Sequence, residues 1–79
     1  LIADGCDIQG SVKNCILFRN VRIEKGASVE NCVLFKDTVV KKGAVLRSVI
    51  TDKYVTVGDS VTLMGHENYP IVIAKGSTV

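Results

Sequence analysis

Three basic side chains recur at a constant interval and could bind an anion together. Arg19, Lys36 and Lys53 are each seventeen residues apart. If the chain folds with that period, the three cations lie in one column, and their mutual repulsion is relieved only by an anion or a carboxylate among them. Asp37 and Asp52 flank two of these cations and are candidate carboxylates. The alternatives are therefore a solvated ion-pair network and a binding site for a phosphate-bearing effector or an acidic partner surface.

The remaining reactive side chains form no catalytic or metal motif. His66, beside Glu67, is the only histidine, and no nucleophile or cofactor motif accompanies it. Cys6, Cys15 and Cys32 lack the closely spaced pairs of zinc sites. Cys15 and Cys32 are one period apart and would stack, which leaves a disulfide open. We expect them to be small inward fillers in a reducing cytoplasm, and we predict no catalytic residue and no metal site.

The elements that position these residues are three copies of a seventeen-residue unit, VKNCILFRNVRIEKGAS, VENCVLFKDTVVKKGAV and LRSVITDKYVTVGDSVT. Within each unit, aliphatic residues recur at intervals of five, six and six residues. A small or β-branched residue lies two positions before each of them. Residues two apart on a strand face the same side, so this spacing favours short strands. The apolar residues do not recur with the 3.6-residue period of a helix. The pattern predicts an all-β, single-stranded parallel β-helix with about 17 residues per coil, three short strands and three corners. Gly26, Gly43 and Ser60 mark corners, and Gly10 permits a tight corner in a shortened first coil.

One outer face of this prism is predicted to be apolar. If the cysteine and leucine of each NCILF-like segment point inward, their neighbours must point outward. We expect this face to contact another domain of the same chain or another subunit, because an apolar column of that size is seldom left in water. The alternative is a shifted register that turns these residues inward. The candidate interface residues are Ile16, Phe18, Val33, Phe35 and Ile50.

Length and composition limit the other possibilities. The chain has 79 residues, a net charge of +2 and 47% apolar residues, which predicts one small domain. No basic block with interleaved aromatic residues indicates nucleic-acid binding, and no segment has the length of a membrane span. We predict coils over residues 1–64, a loop over 65–72 and a final strand over 73–79. Because the chain opens on Leu1 and enters the repeat almost at once, we expect it to be a piece of a longer protein.

Several segments together resemble one family. LIADGC at 1–6, the short step from Ile8 to Val12, NCILF at 14–18 and VITDK at 49–53 resemble the C-terminal β-helix of bacterial glucose-1-phosphate adenylyltransferases. The ending MGHENYPIVIAKG at 64–76 is most similar to the D-type glycogen biosynthesis subunits, which pair with the catalytic chain. The resemblance covers essentially the whole chain and implies the left-handed coil of hexapeptide-repeat proteins.

The resemblance also implies a function. Such enzymes convert ATP and glucose 1-phosphate to ADP-glucose and pyrophosphate in an N-terminal nucleotidyltransferase domain, which would hold ATP and Mg²⁺ and is absent from these residues. The β-helix is expected to pack against that catalytic domain, to take part in homo- or hetero-tetramers with a catalytic-type subunit, and to serve allosteric control in the cytoplasm. Lys53 matches a lysine that helps to hold anionic sugar-phosphate or nucleotide effectors. By itself the β-helix is predicted to be non-catalytic and to need no cofactor.

A second class of function stays open. Hexapeptide-repeat acyltransferases bind acyl-CoA between prisms and use a histidine base, for which His66 is the single candidate. Binding of coenzyme A would favour this alternative. A γ-type carbonic anhydrase needs three histidine ligands for zinc, which one histidine per chain does not supply.

Overall fold

The computed structural model describes all 79 residues and contains twelve short strands. No helix of the length and hydropathy needed to span a membrane is present. The strands are β1 (Asp7–Ile8), β2 (Ser11–Lys13), β3 (Ile16–Leu17), β4 (Arg22–Ile23), β5 (Ser28–Glu30), β6 (Val33–Leu34), β7 (Val39–Val40), β8 (Val45–Arg47), β9 (Val49–Thr51), β10 (Thr56–Val57), β11 (Thr62–Met64) and β12 (Ile71–Ile73).

The strands form three parallel sheets of four strands each. Their orders are β1-β4-β7-β10, β2-β5-β8-β11 and β3-β6-β9-β12, so each strand pairs with strands of the neighbouring coils. Leu17 is paired with Leu34, and Leu34 with Thr51, each seventeen residues further on. The predicted three-sided parallel β-helix is therefore confirmed.

The interior consists of vertical rows of aliphatic side chains. Leu17, Leu34, Thr51 and Ile73 form one such row, and each is buried. The small partners two residues earlier, such as Cys15 and Cys32, are buried as well, as predicted. The Thr51 hydroxyl lies 3.0 Å from that of Thr38, which in turn lies 3.2 Å from the Asp52 carbonyl oxygen. These contacts give the buried threonine hydroxyls hydrogen-bond partners. No buried side-chain nitrogen or oxygen lacks a partner.

Left-handed backbone conformations turn the chain at every corner. Gly26, Gly43 and Ser60 have φ of 80°, 74° and 57°, as the sequence predicts. Two further columns of left-handed residues were not predicted, because none of the six residues in them is glycine. They are Asn14, Asn31 and Ser48 at one corner, and Asn20, Asp37 and Tyr54 at the other. Asparagine and aspartate tolerate this conformation better than other side chains do, whereas Tyr54 gives no such signal.

Gly10 allows the short first step for a different reason from the one predicted. Gly10 does not have a positive φ, so its backbone conformation does not require glycine. A β-carbon at this position would collide with the Ala27 carbonyl oxygen and would lie 2.7 Å from that of Glu24. The first coil is therefore shortened by a close approach of two backbones.

The predicted boundary between the loop and the last strand is wrong by two residues. Strand β12 begins at Ile71, whose amide donates to the Ser48 carbonyl at 3.1 Å, so the loop ends at Pro70 and not at residue 72. The predicted strand over 73–79 is instead the end of β12, a turn, and a bridge between Thr78 and Thr56.

Candidate functional site

The corner that follows β3, β6 and β9 aligns the three predicted cations. The amide of Asp37 donates to the Arg19 carbonyl at 3.1 Å, and that of Tyr54 donates to the Lys36 carbonyl at 3.1 Å. The backbones of the three residues therefore lie one above the next, about 4.8 Å apart along the solenoid axis. The structure brings together Arg19, Lys36 and Lys53 as the repeat predicts.

A fourth cation extends this column. The Gly76 amide donates to the Lys53 carbonyl at 3.0 Å, as Tyr54 does to Lys36, which places Lys75 above Lys53. Thr51 pairs with Ile73, twenty-two residues on, because the loop before β12 inserts five extra residues. Lys75 therefore lies outside the seventeen-residue period. We call Arg19, Lys36, Lys53 and Lys75 the cation ladder.

The aspartates expected to neutralise the ladder do not pair with it. The four ion pairs within 4.0 Å join Lys13 and Arg47 to Glu30, and Arg22 to Asp7 and Glu24. The Asp52 carboxylate instead accepts a hydrogen bond from the Lys53 backbone amide at 2.7 Å. Lys36 Nζ lies 5.6 Å from the centre of the Tyr54 ring, a cation–π contact that leaves its charge in place. No ion pair within 4.0 Å therefore joins Asp37 or Asp52 to the ladder.

The predicted outward apolar residues do face outward. Ile16 pairs with Val33, and Val33 with Ile50, on the side of the sheet opposite the core row. The rings of Phe18 and Phe35 stack at 4.7 Å with an interplanar angle of 12°. Ile16 and Phe18 are each 42% exposed, so the alternative of a shifted register is excluded.

The same five-residue insertion hides one further member of this face. Val72 pairs with Ile50 and is 71% exposed. We call the whole surface the apolar face. It comprises Ile16, Phe18, Val33, Phe35, Ile50 and Val72.

The apolar face and the cation ladder meet in one open cleft of about 300 Å³. Phe18, Phe35 and the three predicted cations line it together. Ala3 completes the lining. Guanidinium and ammonium groups bind phosphate oxygens through charge-assisted hydrogen bonds. The cleft is therefore suited to an anion that carries an apolar or ring-shaped group.

His66 lies apart from this cleft in an exposed loop. Its Nδ1 accepts a hydrogen bond from the Asn68 amide at 3.2 Å, and its backbone pairs with that of Tyr69. No cluster of three or more histidine, cysteine, aspartate or glutamate side chains could hold a metal ion. The imidazole therefore caps the loop.

Cys15 and Cys32 are buried in adjacent coils as free thiols. Each thiol donates to a backbone carbonyl, Cys15 to that of Lys13 at 3.2 Å and Cys32 to that of Glu30 at 3.1 Å. The neighbouring Cys32 side chain lowers the pKa of Cys15 to about 6, against the opposing effect of burial. The Cys15 side chain, together with burial, raises the pKa of Cys32. The inward placement is as predicted, whereas the mutual contact that polarises the pair was not foreseen.

Six-residue steps, parallel coils and glycine corners define a hexapeptide-repeat protein. The model of the family "GlmU-like, C-terminal hexapeptide" matches residues 1–69, and the chain belongs to that family.

A more specific similarity is to glycogen biosynthesis protein GlgD of Bacillus subtilis (strain 168). The two are 55% identical over 76 residues, which is 96% of this chain and 22% of the relative. The chain thus spans about a fifth of the length of the curated relative it matches. No solved structure matches the chain.

Proposed function

We propose that this β-helix is the docking and regulatory domain of a glycogen-biosynthesis protein of the glucose-1-phosphate adenylyltransferase family. The similarity to GlgD over nearly the whole chain supports the pathway. In this proposal, an N-terminal nucleotidyltransferase domain makes ADP-glucose and pyrophosphate from ATP and glucose 1-phosphate with Mg²⁺. The parent chain either catalyses this reaction or regulates a catalytic partner subunit, in the cytoplasm. The β-helix itself is non-catalytic.

The observation that carries the proposal is the meeting of the apolar face with the cation ladder in one cleft. A domain that docks on the apolar face contacts Phe18 and Phe35, and an anion in the cleft is lined by the same two rings. Each event therefore changes the surface that the other one uses. Coupling of this kind is reciprocal, so an effector that favours docking is itself bound more tightly by the docked state.

The apolar face is the docking surface in this account. Ile16, Phe18 and Val72 are 42%, 42% and 71% exposed and lie on one side of the solenoid. Burial of such side chains contributes about 25 cal/mol for each Å² removed from water. The occupant we propose is the N-terminal catalytic domain of the same chain, since the relative contains more than four times as many residues as align here. A homo- or hetero-tetramer with a catalytic-type subunit would assemble through the same side of the solenoid.

The cation ladder is the effector site in this account. Lys53 lies between Lys36 and Lys75, so it can share an anion with a cation on either side. The lining favours an anionic sugar phosphate or nucleotide over a bare inorganic ion, because the phenylalanine rings offer apolar contact beside the charges.

The docking half of the proposal is tested by charging the apolar face. In the full-length protein, Phe18→Glu combined with Phe35→Glu places two carboxylates where the docked domain would exclude water. We expect the subunits to dissociate in sedimentation-velocity experiments and the effector response to disappear. Met64→Glu is the matched control, because Met64 is 56% exposed on a different sheet. Intact assembly together with an unchanged effector response in the double variant would contradict the proposal.

A further inference from the structure

The two buried cysteines are aligned for bond formation. Cys15 and Cys32 directly precede Ile16 and Val33, which pair in register in β3 and β6. The Ile16 amide donates to the Cys32 carbonyl at 3.0 Å, which fixes the two strands at this point. Parallel strands lie about 4.8 Å apart, within the Cα separations of about 4.4–6.8 Å that disulfides span. The two thiols are held alike, since Cys15 Sγ donates to the Lys13 carbonyl at 3.2 Å and Cys32 Sγ to the Glu30 carbonyl at 3.1 Å.

An open cleft of about 310 Å³ lies over the pair. Both cysteines line it, between the side chains of Asn14 and Asn31 and beside Leu1. Asn14 Nδ2 donates to Asn31 Oδ1 at 2.6 Å, so the two amides stack along the wall as the two thiols do. The cleft therefore brings a reagent of a few atoms next to the two cysteines, which are themselves buried.

The two thiols differ in reactivity, and the third cysteine is remote. The neighbouring Cys32 side chain lowers the pKa of Cys15 to about 6, against the opposing effect of burial, whereas the pKa of Cys32 is raised. The thiolate is the nucleophilic form, and Cys32 keeps the proton. Cys6 faces a different corner, where its thiol donates to the Phe18 carbonyl at 3.2 Å.

We propose that Cys15 and Cys32 are a modification site, a thiol pair that a hydroperoxide oxidises to a disulfide joining the first two coils. The Cys15 thiolate attacks the peroxide O–O bond, which breaks; the sulfur takes one oxygen as a sulfenic acid, and hydroxide or alkoxide leaves. The Cys32 sulfur then attacks the Cys15 sulfur. The S–S bond forms, the S–O bond breaks, and the Cys32 proton leaves with that hydroxyl group as water. The two sulfurs together supply the two electrons that reduce the peroxide.

The disulfide would fasten one coil to the next directly beneath Ile16 and Val33 of the apolar face. It closes a loop of about 17 residues, which restricts the unfolded chain. We expect a rise in melting temperature on the order of 10 °C, reversed by dithiothreitol. Oxidation would therefore stiffen the coils under the docking surface without changing any surface side chain.

Peptide mapping tests the proposal without any substitution. The folded chain is treated with hydrogen peroxide, the remaining thiols are blocked, and the protein is digested with trypsin. We expect one linked pair of peptides, Asn14–Arg19 with Gly26–Lys36, and an unlinked peptide that carries Cys6. Links to Cys6, links between chains, or sulfinic acid without a disulfide would overturn the proposal.

Two variants sharpen this experiment. Cys6→Ser should leave both the intramolecular link and the rise in melting temperature unchanged. Cys32→Ser should stop the reaction at a sulfenic acid on Cys15, trapped by dimedone. Oxidation of the wild-type chain in urea should give mixed linkages, because the register that aligns the pair is lost. Equal selectivity in urea would show that the folded alignment is irrelevant.

Discussion

Two columns of charged side chains run up the same solenoid and differ in how their charge is balanced. Lys13, Glu30 and Arg47 stand at the ends of β2, β5 and β8, and Glu30 contacts both cations, at 4.0 Å and 3.1 Å. The cation ladder stands at another corner with the same spacing and has no ion pair. Stacking alone therefore does not force like charges together, because one column alternates in sign and the other does not.

The comparison indicates what each column does. In the alternating column the protein satisfies its own charges, and exposed pairs of this kind contribute about 0–1 kcal/mol each. In the ladder, four like charges on backbones about 4.8 Å apart repel one another, and an external anion would relieve that repulsion. Its neighbours Phe18 and Phe35 add an apolar wall that the alternating column lacks. The ladder is thus the column with the features of a binding site.

The largest effect should come from removing the central cation of the ladder. Lys53→Ala in the full-length protein deletes a charge-assisted contact of about 1.5–3 kcal/mol with a bound phosphate. We expect the half-maximal effector concentration to rise by about 10-fold to 100-fold. The matched control is Lys42→Ala, an exposed lysine at a different corner. An identical effector titration for both variants would leave Lys53 as a solvated charge.

A smaller effect should follow from making the alternating column resemble the ladder. Glu30→Lys replaces two attractive contacts by two repulsions, so we expect a loss of about 1 kcal/mol in the free energy of unfolding. The melting temperature should fall by about 4–8 °C and recover partly in high salt, which screens the charges. Glu67→Lys, in the exposed loop and without an ion pair, is the control. A melting temperature unaffected by Glu30→Lys would mean that the column carries no net electrostatic stabilisation.

The reverse change should have the smallest effect and the opposite sign. Lys36→Glu places a carboxylate between Arg19 and Lys53 and converts the ladder into an alternating column. We expect a gain of about 0.5 kcal/mol in the free energy of unfolding by urea, reduced by the lost contact with Tyr54. Lys36→Gln separates loss of the cation from gain of the carboxylate. If Lys36→Glu is less stable than Lys36→Gln at low salt, the four cations do not repel one another as proposed.

The seventeen-residue repeat was sufficient to predict most of this architecture. It assigned Leu17, Leu34 and Thr51 to one interior row, and Ile16, Val33 and Ile50 to the opposite side, because side chains alternate along a strand. It also aligned Arg19, Lys36 and Lys53. Each of these relations depends only on a constant coil length.

The relations that were not predicted involve changes in coil length or contacts between side chains. Lys75 and Val72 belong to the ladder and the apolar face, but the insertion before β12 moves them five residues out of period. The Cys15–Cys32 contact and the failure of Asp52 to pair with Lys53 depend on rotamers and hydrogen bonds that spacing does not specify. Periodicity predicts the columns and leaves their chemistry to the local geometry.

The central claim is that the cation ladder binds anions and that the alternating column does not. Titration of the ¹⁵N-labelled chain with pyrophosphate, followed by NMR, tests it most directly. We predict saturable shifts at the amides of residues 19–20, 36–37, 53–54 and 75–76, and none beyond the effect of matched ionic strength at Lys13, Glu30 and Arg47. Equal, non-saturating shifts at both columns would contradict the account.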